Sequence, residues 1–249
     1  MKKHLTFILA LLLLVNSFAQ DSTRRQSIFK FRLSVDIPIG LITLGTGGAG
    51  LILHKKKHPL TMEEINNLKP SDVNKFDRYS IYQHSKAAAI ASDVIQITAA
   101  VSPALLFIDK DIRKDWKTVL PVWIETFALT SSLTMFTKEI AKRTRPYVYS
   151  DYGNGDKYSK DARASFWSGH TAITASSTFF IAMMYNEYHP DSRWRPLMWT
   201  GAAIVPALVG FTRVKAGKHY WTDVLTGYAV GALVGTLTPF LHRREFRKH

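Results

Sequence analysis

The chain has 249 residues, carries 33 Lys and Arg against 19 Asp and Glu for a formal charge of +14, and contains no cysteine. That length suits one sizeable domain or a compact membrane bundle, and the missing cysteines exclude disulfides, thiol catalysis and Cys-ligated metal. The basic residues are scattered and no nucleic-acid module accompanies them, so nucleic acid is not an expected partner; anionic lipid and phosphate are.

The first residues read as an export signal. Lys2 and Lys3 precede the apolar run from Leu5 to Val15, and Ser17-Phe18-Ala19 offers small residues where a signal peptidase reads, so residues 1–19 are assigned as a signal. Val35 to Leu53 is apolar but holds Asp36, Pro38 and five glycines, a poor helix by propensity. A polar stretch from Lys55 to Lys86 contains a helical patch at Met62 to Leu68; residues 20–86 as a whole are expected to be periplasmic or interfacial. The clearest candidate spans follow at Ala87 to Ile108, Thr118 to Phe136, His170 to Met184, Leu197 to Phe211 and Val224 to Leu241. The last carries Gly227, Gly231 and Gly235, a stripe of small residues that suits close helix packing in lipid. Residues 87–241 are therefore expected to form a helical bundle, closed by a basic tail at 242–249.

Three short motifs carry chemistry: Lys138 with Arg145-Pro146, then Ser168-Gly169-His170, then Arg213 with His219 and Asp223. As patterns they read K-x6-R-P, S-G-H and R-x5-H-x3-D. Lys138, Arg145 and Arg213 make a cationic clamp for phosphate oxygens, Arg with two parallel donors and Lys as a point charge. Ser168-Gly169 precedes a helical stretch, so its amides and the helix N-terminus face the same anion. His219 and Asp223 share a face if their segment is helical; the carboxylate then holds one ring nitrogen and leaves the other to attack phosphorus. His170 remains to protonate the departing oxygen. Lys142 and Arg143 are read as membrane-flanking charges, since no motif position claims them.

The order and spacing of these residues resemble the type 2 phosphatidic acid phosphatase family over roughly residues 85 to 241. The resemblance implies an all-α fold of about five to six helices with the site at one membrane face, a covalent phosphohistidine intermediate, and neither metal nor cofactor. Trp167 stands where the family pattern has Pro, and Thr212 where it has Ser. The expected substrates are lipid phosphates such as phosphatidic acid, phosphatidylglycerol phosphate, undecaprenyl diphosphate or lipid A.

All three motifs must meet at one face, and five spans after residue 86 achieve that with the site in the periplasm and the basic tail in the cytoplasm of a bacterial inner membrane. With an exported signal, Val35 to Leu53 should not cross alone. The mean hydropathy of −0.05 keeps a soluble periplasmic acid phosphatase as the alternative.

Overall fold

The computed structural model describes residues 27–150 and 156–244; the assigned signal, residues 1–19, lies outside them. Nine α-helices are found among the described residues. They are α1 (Leu33–Lys56), α2 (Met62–Asn67), α3 (Lys75–Arg78), α4 (Lys86–Val101), α5 (Lys110–Lys114), α6 (Trp116–Ala141), α7 (Gly169–Tyr188), α8 (Arg195–Lys215) and α9 (Trp221–His242). Every expected span is present. Pro103 ends the α-helical part of the first, and a 3-10 segment, Ser102–Ile108, completes it.

Five stretches are long and apolar enough to cross a membrane: Leu33–Lys56, Lys86–Ile108, Trp116–Tyr149, Arg195–Lys215 and Trp221–His242. Their outer faces present Leu41, Leu44, Ile90, Ile97, Ile204, Leu208 and Leu233. Such continuous apolar surface suits lipid and not water, which counts against the soluble alternative. Helix α7 is different, because it packs against α4, α6, α8 and α9 at once. Protein, not hydrocarbon, surrounds it. Over its first half the buried positions are small or hydroxylic, Thr171, Ala172, Thr174, Ala175, Ser176 and Ser177, whereas Phe180, Met183 and Met184 fill the second half.

The glycine stripe of α9 explains how tightly this centre closes. A Cβ placed on Gly227, Gly231 or Gly235 would lie 2.5, 2.2 or 2.4 Å from the carbonyl oxygens of Ser168, Ala172 and Ser176. Both helices therefore meet backbone to backbone at a four-residue repeat, as small-residue interfaces in lipid do. The lowest of these contacts falls on Ser168, so the same stripe seats the start of α7.

Helix α1 departs from expectation. Residues 35–53 lie within one continuous 24-residue helix, and two of its five glycines, Gly47 and Gly50, lie in its packing face. Gly50 sits against Met135 and the amide nitrogen of Phe136, Gly47 against Ser132, and the Thr46 hydroxyl donates to Ser132 Oγ at 3.0 Å. Helix propensity penalises those glycines in water, whereas close packing on α6 uses them. The start of α1 lies beside the end of α9: Lys30 N donates to His242 O (2.8 Å), Arg244 N to Ile28 O (2.9 Å), and Phe29 bridges Arg243. Beyond its other end, Lys57 pairs with Glu139 at 2.8 Å, both side chains buried, one residue from Lys138. The helix thus runs from the tail face to the site face, and six helices traverse the bundle.

The polar stretch after α1 folds back over the site face. Thr61 and Glu64 form a reciprocal capping box at α2. Leu60 joins Tyr147, Val148 and Ala162 in one small core, and Val73 and Ile81 join Tyr220 in another.

Candidate active site

The motif residues converge at one end of the bundle. Lys138 comes from the last turn of α6, Gly169 and His170 from the first turn of α7, Arg213 from the last turn of α8, and Asp223 from the first turn of α9. Arg145 and His219 lie on the connecting segments. Lys142 ends α6 in a left-handed conformation (φ 44) with its N–H on Lys138 O at 3.1 Å, which turns the chain back toward the site. Gly217 makes the other tight turn: its φ is +66, and a Cβ there would lie 2.0 Å from Gln83 O.

Arg145 is buried and bound on every side. Its Nε donates to Asp161 O (2.9 Å), one terminal nitrogen to Asp161 Oδ1 (2.8 Å), and the other to Lys218 O (2.9 Å) and to His219 Nε2 (3.2 Å). An arginine has no lone pair to offer, so the His219 Nε2 it faces is the acceptor and unprotonated nitrogen. The proton then sits on Nδ1, which is buried without a hydrogen-bond partner, Asp223 Oδ2 lying 3.5 Å away. His219 is fully buried. Burial above all, and then the Arg145, Lys138 and Arg213 cations, hold its pKa well below the ordinary imidazole range. It is a neutral imidazole with a lone pair aimed into a cationic pocket.

The expected helical pairing of His219 with Asp223 is corrected by this geometry, because α9 begins only at Trp221. Asp223 is instead the capping carboxylate, accepting Tyr220 N at 3.0 Å. The chain turns at that cap and brings His219 over the same oxygen. Arg143 is also corrected from a flanking charge to a structural part of the site. Its two terminal nitrogens reach Asp223 Oδ1 (2.5 Å) and Asp77 Oδ2 (2.7 Å). Ser165 Oγ completes Asp223 from its other oxygen at 2.5 Å.

Asp77, from the polar segment over the site, is fully buried and accepts Thr222 N (2.9 Å), Thr222 Oγ1 (2.6 Å) and Asn74 Nδ2 (2.8 Å) besides Arg143. Burial opposes its charge, but these donors outweigh burial and lower its pKa. Asp161 behaves alike, with the Arg145 and Lys138 cations overcoming burial. Neither residue belongs to a local motif.

The S-G-H start divides its labour. Ser168 Oγ accepts Thr171 N and the Thr171 hydroxyl, and Ser168 N donates to Asp223 O at 3.0 Å, so this residue is a buried helix cap. The amides of Gly169 and His170, first in the helix, remain for an anion. A Cβ on Gly169 would press on Thr134 Cγ2 at 3.1 Å, beside Lys138. His170 Nε2 lies 2.7 Å from Asp93 Oδ1, which is 3.1 Å from an Arg213 terminal nitrogen; that nitrogen also donates to Ser92 Oγ at 3.1 Å. Arg213 Nε is buried and has no partner. Trp167 donates its indole N–H to Thr134 Oγ1 at 2.8 Å, while the Thr212 hydroxyl bonds carbonyls of its own helix.

Among the described residues, the one group of acid and histidine donors close enough to share an ion is Asp36, Glu125 and His242, at the opposite end of the bundle. There His242 Nδ1 lies 2.7 Å from Thr238 O, and Nε2 lies 2.9 Å from Asp36 and 3.2 Å from Glu125.

Three cations, two histidines and a helix-start amide pair are thus gathered at one end of an apolar helical bundle. The chain belongs to the PAP2 superfamily, whose family model matches residues 122–247, just over half of the chain. It is 31% identical over 142 residues to phospholipid phosphatase 2 of Rattus norvegicus, covering 48% of this chain and 51% of that protein. It is 30% identical over 123 residues to phosphatidylglycerophosphatase B of Bacillus subtilis (strain 168), covering 49% and 56%. The chain spans about half the length of these curated relatives. Among solved structures, the transmembrane PAP2-type phosphatidylglycerolphosphate phosphatase of Bacillus subtilis superposes with a TM-score of 0.53 at 22% identity, over 83% of this chain and all of that one. That likeness is one of fold.

Proposed function

We propose that this protein is a phosphoric ester hydrolase that removes phosphate from lipid phosphates or diphosphates through a phosphohistidine on His219. The carrying observation is the unprotonated His219 Nε2, facing Arg145 in a pocket that Lys138 and Arg213 also charge. In the first half-reaction Nε2 attacks phosphorus, the bond from phosphorus to the lipid oxygen breaks, and His170 gives that oxygen its proton. Asp223, 3.5 Å from Nδ1, closes on the Nδ1 proton as imidazolium character develops and steadies it. In the second half-reaction water attacks the phosphohistidine, His170 takes the water proton, and phosphate leaves with His219 restored. Lys138, Arg145, Arg213 and the Gly169 and His170 amides stabilise the equatorial oxygens in both steps.

The substrate class is supported by the apolar helices around the site and by the relatives, which are named for phospholipid and phosphatidylglycerophosphate hydrolysis. Basic residues at the far face, including Lys110, Arg113, Lys114, Arg243 and Arg244, support an orientation with that face in the cytoplasm and the site in the periplasm of a bacterial inner membrane. Because α1 also starts at the far face, this orientation keeps residues 27–32 inside. It is incompatible with a signal that exports the chain from residue 20 onward. We favour the outward site.

The test is a panel of lipid and soluble phosphates offered to detergent-purified protein with EDTA present. Lipid phosphate hydrolysis is expected to persist, since the three fixed cations supply the charge stabilisation, and to be inhibited by orthovanadate. His219→Ala should abolish turnover together with the acid-labile phosphoenzyme. A phosphoenzyme that persists in that variant, or activity that returns only with one divalent ion, would overturn the mechanism.

A further inference from the structure

We propose that Asp93 of α4 is the positioning residue that keeps His170 in its proton-donating form; the assignment rests on the phosphatase reading above. Asp93 is an acid in an otherwise apolar span, Lys86–Ile108, where a carboxylate is costly to insert and is retained for a partner. Its partners are both site residues. Asp93 Oδ1 lies 2.7 Å from His170 Nε2 and 3.1 Å from an Arg213 terminal nitrogen.

The need for such a group follows from what else faces His170. It is the second residue of α7, where the helix dipole opposes a cation. Burial first, and then Arg213 from α8 and Lys138 from α6, disfavour a positive imidazole there. A leaving-group acid must nevertheless arrive protonated. Asp93 is the carboxylate set against this charge. By accepting from Nε2 it fixes the ring and leaves Nδ1 as the nitrogen that hands a proton to the departing oxygen. The site then holds two carboxylate-histidine pairs with opposite duties: Asp223 serves the nucleophile and Asp93 the acid.

The same carboxylate also orients Arg213, so the test must separate proton donation from phosphate binding. Asp93→Asn is compared with wild type on p-nitrophenyl phosphate, whose leaving group needs little protonation, and on an alkyl lipid phosphate. The expected kcat loss is at least about tenfold larger on the alkyl substrate. The alkaline limb of its pH profile should move toward acid by about one unit, because removing the carboxylate lowers the proton affinity of His170. In a His170→Ala background Asp93→Asn should cost less than about twofold more on the alkyl substrate. Equal losses on both substrates with an unmoved limb, or full additivity in the double variant, would overturn the assignment. Should Asp93→Asn not remain monodisperse in detergent, Asp93→Glu takes its place: it keeps the carboxylate and should keep the wild-type ratio between substrates, and a ratio that moves as far as in His170→Ala overturns the assignment. A wild-type chain that hydrolyses neither substrate removes both readings, whereas an active wild type with equal losses removes the Asp93 assignment alone.

Discussion

Replacing Arg143 tests whether the segment over the site is part of the catalytic apparatus. In Arg143→Gln the buried Asp223 and Asp77 each lose a charge-assisted bond, of 2.5 and 2.7 Å, each contributing about 1.5–3 kcal/mol. Both carboxylates keep other donors, Ser165 and Tyr220 N for Asp223 and Thr222 and Asn74 for Asp77. The net cost is therefore placed at about 2–3 kcal/mol, below the 3–5 of a buried pair left with no compensation. At about 2–4 °C per kcal/mol for a chain of this size, Tm should fall by about 5–10 °C. If about 2 kcal/mol of that also loosens Asp223 beneath His219, kcat should fall about 30-fold. Arg143→Lys should recover only part of either loss, because one ammonium cannot span two carboxylates as a guanidinium fork does. Thermal unfolding in detergent and turnover of p-nitrophenyl phosphate, measured on both variants, report the two effects separately. A Tm within about 2 °C of wild type and kcat within about twofold in Arg143→Gln would return Arg143 to the status of a flanking charge.

Three further outcomes follow from the geometry. Because burial and then neighbouring cations hold the His219 pKa well below 6.5, the nucleophile stays neutral as pH falls through 6.5, and phosphoenzyme formation should not lose rate with a midpoint there. The unfolded chain does take up that proton, so the stability contribution of His219 is complete above pH 6.5 and declines below it; a phosphoenzyme rate titrating at 6.5 would contradict this. Gly231→Ala drives a Cβ to 2.2 Å from Ala172 O and should cost several kcal/mol or prevent assembly, whereas Gly48→Ala meets nothing within 4 Å and should be neutral, as folded yield and Tm in detergent will show. Single cysteines at Asn66 and Lys157 should label with a membrane-impermeant thiol reagent in intact cells, and those at Lys30 and Lys114 only after permeabilisation. The reverse pattern would place the site in the cytoplasm and restore an exported amino-terminal segment.

The sequence motifs foretell the convergence, since Lys138, Arg145, Arg213, His170 and His219 meet at one end of the bundle. They foretell the helices as well, because apolar runs of span length leave few alternatives. What they conceal is contact made across the fold. Asp77 and Asp161 reach Arg143 and Arg145 from segments whose local pattern is ordinary polar surface, and Ser165 looks like any loop serine. Arg143 is hidden for the opposite reason, standing in a basic run where charge at a membrane edge already explains it. Asp93 and Asp36 did carry a signal, an acid within an apolar stretch, though its meaning depends on which histidine stands opposite. The crossing of α1 was obscured because propensity measured in water penalises all five of its glycines, two of which, Gly47 and Gly50, are contact points against α6.

The clasp between Asp36 and His242 has a bearing on biogenesis. The two residues are 206 positions apart, and at about 5–20 residues per second the ribosome needs roughly 10–40 s to travel between them. Throughout that interval α1 stands at the membrane with Asp36 held only by the Arg32 amide (2.6 Å) and without its histidine, and the pairing of Phe29 with Arg243 has no second strand. Helix α9 therefore supplies the partner that α1 awaits, so these two helices meet only after the helices between them have been made. A ribosome stalled before α9 leaves a precursor whose Asp36 lacks His242, a feature by which membrane quality control can tell a chain without α9 from one with it.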